Sequence, residues 1–102
     1  MPKTYRKTKP IVTLNDFLAK AKTIKQFTSS SGKRYLVTSI EGDIMHFIRL
    51  DANEDFDWPM NLKNVYTAYQ ELEDFATINF KPFVPITHSP ARGLLIHLGM
   101  LE

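Results

Sequence analysis

The chain has 102 residues, no cysteine, 43% hydrophobic residues and a formal net charge of +2. That length predicts one domain with one modest core. The missing thiols exclude a disulfide scaffold and a thiolate-bound zinc, and fit a reducing compartment. The net charge conceals a division: residues 1–34 carry nine bases against Asp16 alone, a net of +8, while residues 35–102 carry a net of −6. Such asymmetry points to a polyanionic partner for one half, or to the halves matching each other electrostatically.

Residues 1–10, MPKTYRKTKP, read as a flexible basic arm bracketed by Pro2 and Pro10. The arm has no apolar run, so it does not read as a secretory signal. The longest apolar stretch, GLLIHLGML at 93–101, is far shorter than the roughly 20 residues of a membrane span. A cytoplasmic protein without a membrane partner is the expectation.

From residue 11 on, a single α+β domain is predicted. A first helix starts after Thr13, whose hydroxyl is placed to cap Asp16, with Val12 and Phe17 as a hydrophobic staple. Leu14, Phe17, Leu18, Ala21 and Ile24 form its apolar stripe, and the helix ends by Gln26. RYLVTSI (34–40) and DIMHFIRL (43–50) read as an antiparallel hairpin turning at Gly42. Simple alternation places Leu36 and Ile40 on one face, Tyr35 and Val37 on the other. DWPM supplies a third strand, which Pro59 confines to an edge because it lacks a ladder donor. The meander thus has three strands, or four with a short one around Phe27. Asn61 then caps a second, amphipathic helix striped by Leu62, Val65, Tyr66, Tyr69, Leu72 and Phe75. Residues 76–88 read as an extended proline-rich segment. A short last helix is capped by Ser89, with Pro90 at its first position and Gly99 at its end.

The acidic stretch DANEDFDW (51–58) offers metal-ligand candidates. Asp51, Asn53, Asp55 and Asp57 occupy alternate positions, as in a calcium loop. The pattern then departs, with Phe56 where such a loop needs glycine and Leu62 where it needs glutamate. A solvated turn is the better reading, with a divalent-metal hydrolase as the remotest alternative. Glu41 and Asp43 lie at the other end of the strand, over about 20 Å away, and cannot join these acids. No nucleophile elbow, phosphate-binding glycine loop or paired histidine is present, so no catalytic residue and no cofactor is assigned.

Two binding features remain. Lys3, Tyr5, Arg6, Lys7 and Lys9, then Lys20, Lys22, Lys25, Lys33 and Arg34, combine phosphate-neutralising cations with a ring that can stack on a base. His88, Ser89 and Arg92 form a second, anion-binding candidate at the start of the last helix. The functional expectation is a non-enzymatic, nucleic-acid-contacting accessory or regulatory module. The alternative is a protein-interaction or homo-oligomerisation domain.

Overall fold

A computed structural model describes residues 5–8, 12–29, 32–50 and 57–101. The order is α1 (Leu14–Ala21), β1 (Gln26–Thr28), β2 (Arg34–Glu41), β3 (Ile44–Arg49), β4 (Trp58–Asn61), α2 (Leu62–Glu71) and α3 (His88–His97), with a 3-10 turn at Thr77–Phe80. The strands form one antiparallel meander in the order β1-β2-β3-β4. The α+β class holds, and the fourth strand is the short one around Phe27. Pro59 lies on edge strand β4 opposite His46, where its missing N–H interrupts the outer rim.

Local chemistry accounts for the first two helix starts. Thr13 Oγ1 accepts from the Asp16 N–H at 3.1 Å, and Asn61 Oδ1 accepts from the Asn64 N–H at 3.2 Å. Between β2 and β3, Gly42 takes φ +61°, the left-handed geometry that a tight hairpin turn requires.

One buried cluster joins the helices to a single face of the sheet. Phe27, Tyr35, Met45, Phe47 and Met60 of the strands meet Phe17 and Ala21 of α1, Leu62, Val65 and Tyr69 of α2, and Leu94 and Leu95 of α3. The molecule measures 35 × 34 × 22 Å, and the short axis suits one sheet layer plus one helix layer.

Three expectations are corrected. Ile40 does not share a face with Leu36. The β2–β3 register slips between Val37 and Ser39, and this bulge at Thr38 turns Ile40 back toward Met45 and the core. Leu36, Ile44 and Ile48 lie outside the core cluster, on the sheet's other face. Residues 76–88 are not extended. Phe80 and Val84 are buried, and burying both coils the segment into a 3-10 turn and successive tight turns. Finally, α3 is capped at Thr87 rather than Ser89, which leaves Pro90 third in the helix. Proline is tolerated there because first-turn N–H groups have no intrahelical acceptor.

The described part of the basic arm is docked on the body. Lys7 pairs with Leu101 in an antiparallel bridge, and the Thr8 N–H donates to the Met100 carbonyl at 2.9 Å. The Thr8 hydroxyl donates to the Gly99 carbonyl. Buried Tyr69 donates its hydroxyl to the same Met100 carbonyl at 2.9 Å, so the clasp is fastened to α2.

Candidate anion-binding edge of the sheet

Strand β1 has three residues and β2 has eight, so β1 covers only the first part of its neighbour. Beyond the Gln26–Leu36 pair, the Val37 N–H donates to the Lys25 carbonyl at 2.8 Å, and the ladder stops. The α1–β1 connection borders the uncovered half of β2. A cavity of about 230 Å³ opens between them, lined by Lys22, Ile24, Lys25, Val37, Thr38, Ser39 and Ile40. Its floor is apolar, because Ile24, Val37 and Ile40 pack on the core. Two exposed lysines and two hydroxyl residues add to the lining, with no acid among its described residues. An anion held there gains charge attraction over a floor of lower dielectric than water.

The bulge contributes directly to this lining. It sets Thr38 and Ser39 together opposite His46, where a regular strand would turn one of them inward. The Thr38 hydroxyl has acceptors in the His46 carbonyl at 3.2 Å and Asp57 Oδ1 at 3.4 Å. Two adjacent polar residues inside an otherwise apolar strand, VTSI, were the sequence signal for this feature. They were missed because strict alternation was assumed.

Lys33 and Arg34 stand at the other end of β1, where Thr28 pairs with Arg34. Three strand residues separate them from Lys25, about 10 Å of backbone. Lys22, Lys25, Lys33 and Arg34, all exposed, therefore flank one short edge strand. Lys20 lies in the last turn of α1, where a cation suits the helix dipole.

The arm residues take other roles. Lys7 donates its ammonium to the Gln70 carbonyl at 3.0 Å and sits 5.6 Å over the Tyr69 ring and 5.9 Å over that of Phe75. Helix α2 has no basic residue in its own last turn, and Lys7 supplies that charge from outside. Arg6 is exposed, and Tyr5 is half-buried beneath the Arg92 guanidinium, 5.0 Å from its ring centre. Lys3 and Lys9 lie outside the described residues.

The His88, Ser89 and Arg92 group does not converge on one point. Arg92 turns to the body, donating to the Phe75 carbonyl at 3.3 Å while it stacks on Tyr5. That packing accounts for an arginine near the start of a helix. His88 Nδ1 lies 3.0 Å from the Pro85 carbonyl, so that nitrogen is the donor.

Of the metal candidates, Asp51, Asn53 and Asp55 lie outside the described residues, and Asp57 is exposed beside Thr38. Among the described residues no three His, Asp or Glu side chains are grouped to hold a metal ion. Nor is any helix among them long and apolar enough to cross a membrane. Comparisons with protein-family models, with curated proteins and with solved structures find no match to this chain.

Proposed function

We propose that this chain is a non-enzymatic binding module that contacts the phosphates of nucleic acid along the β1 edge. The observation that carries this reading is the cavity whose described lining holds Lys22, Lys25, Thr38 and Ser39, with Asp57 reaching only the Thr38 hydroxyl, and with Lys33 and Arg34 a few residues along the same edge. Lysines neutralise phosphates and release counterions, which gives affinity with little sequence preference. Along the β1 edge the exposed groups are lysines, Arg34 and hydroxyls on strands and turns rather than on a helix, so the mechanism there is charge neutralisation.

Fluorescence anisotropy with labelled single-stranded DNA, duplex DNA and RNA tests it. The full chain is expected to bind at least one of them, more weakly as salt rises. Lys22→Glu/Lys25→Glu is expected to lower affinity about tenfold or more at low salt and to flatten the log–log salt slope by about two. Substitution is a better test than removing residues 1–10, because residues 5–8 hold the clasp to residues 99–101. No binding to any of the three at low salt overturns the reading.

A second reading, self-association, is favoured by the outer sheet face. Leu36, Ile44 and Ile48 are only half-buried there, and Leu50 beside them is 40% exposed. Arg34 stands at one end of β2 and Glu41 at the other. A two-fold axis across the strands lays the faces together with each Arg34 toward the other copy's Glu41, a self-complementary arrangement. Sedimentation velocity is expected to give a dimer mass that Ile48→Lys reduces to a monomer. A monomer at all concentrations removes this reading and leaves the first intact.

A further inference from the structure

Arg49 is the last residue of β3 and pairs across the sheet with Tyr35, while its neighbour Phe47 pairs with Trp58. This register sets the arginine on the core side, among aromatic rings. Its Nε is buried and has no hydrogen-bond partner, and no described carboxylate pairs with its charge. A buried N–H without an acceptor is a rare feature that calls for an explanation, and on a cation more so.

A cavity of about 130 Å³ lies against it, lined by Tyr35, Phe47, Arg49, Trp58, Ile86 and Pro90. Three of the six described lining residues are aromatic. Ile86 is 64% exposed, a large apolar side chain left in water. Pro90 belongs to the first turn of α3, so the positive end of that helix backbone lies beside the same space. The described lining thus has apolar walls, one guanidinium and a helix N-terminus, with no acid among the described residues.

We propose that this cavity binds a small monocarboxylic acid with an aromatic or compact apolar body. The carboxylate would pair with the guanidinium of Arg49, which lines the cavity and has no described counter-charge, in the charge-assisted geometry that such a group favours. The apolar body would rest against Trp58 and Phe47 and cover Ile86. Size agrees, since an apolar cavity of about 150 Å³ accepts a benzene ring. A nucleotide is too large for it, so this site is independent of the lysine-lined edge.

Trp58 is the only tryptophan in the chain, and its emission reports directly on the site. Benzoate, benzyl alcohol and inorganic phosphate are titrated into the full-length protein. The expected result is a saturable change with benzoate, and affinities at least about tenfold weaker for the alcohol, which lacks the charge, and for phosphate, which lacks the body. Arg49→Met is expected to abolish the preference for benzoate over benzyl alcohol, with circular dichroism verifying the fold. Should that variant fail to fold, Arg49→Lys keeps the charge without the planar guanidinium fork and is expected to weaken benzoate about fivefold or more. The proposal is overturned by no saturable response to benzoate, by equal binding of benzoate and benzyl alcohol, by a preference that survives in Arg49→Met, or, where only Arg49→Lys folds, by benzoate affinity there equal to that of the unsubstituted protein.

Discussion

Phe47→Ala is expected to remove about 3–5 kcal/mol of folding stability. Phe47 is fully buried at the centre of the sheet's core face. Its ring meets Phe27 edge-on at 5.5 Å and Tyr35 edge-on at 5.3 Å, while Phe27 and Tyr35 stack at 5.1 Å. These rings come from three adjacent strands and each touches the other two, so truncating fully buried Phe47 opens a void beside both neighbours. Edge-to-face pairs add about 0.5–1.5 kcal/mol each beyond area burial, and both are lost together. A domain of this size has about 5–15 kcal/mol in all, so the variant is expected to be close to unfolding at room temperature. Urea titration followed by Trp58 emission reads the loss as a lower midpoint with little change in slope. A loss below about 1 kcal/mol would show that the three rings do not pack as described.

Gly93→Ala is expected to destabilise by about 1–3 kcal/mol, although the substitution improves helix propensity. Gly93 is buried in the middle of α3, where that helix crosses the end of β1. An added Cβ would lie 2.7 Å from Ser29 Cα and 3.2 Å from the Thr28 carbonyl oxygen. Alanine in a free helix would gain about 1 kcal/mol over glycine. Here the obstructing atoms are backbone and cannot rotate aside, so overpacking decides the sign. Gly93 has an ordinary negative φ, and its requirement is space rather than conformation. Parallel urea titrations of both proteins measure the difference. A more stable Gly93→Ala protein would mean that α3 does not approach β1 this closely.

What was legible in the sequence was local. Thr13 and Asn61 each cap a helix through a bond to the third residue onward, and that relation can be read from spacing alone. Gly42 fixed its hairpin in the same way. The bulge at Thr38 reversed the assignment of Ile40, because one inserted residue exchanges faces for everything beyond it. Residues 76–88 looked extended because prolines bias their neighbours that way, yet the burial of Phe80 and Val84 prevailed. The charges were least legible. Lys7 is matched to Gln70, 63 residues away, and Arg92 to Tyr5, so no local pattern could separate them from the exposed lysines of the β1 edge. Arg49 escaped notice because its inward placement follows from pairing with Tyr35, which only the folded register supplies.

The clasp between residues 7–8 and 99–101 has a consequence for the order of folding. The β2–β3 hairpin closes over a turn of two residues, whereas the bond from Thr8 to Gly99 spans 91. Contacts of such separation carry a large loop-closure entropy unless the intervening chain is already compact. The clasp is therefore a late event, formed when the hairpins and α2 have already brought the two ends together. Its bonds to the Met100 carbonyl, from Thr8 and from Tyr69, then turn an open string of elements into a closed ring.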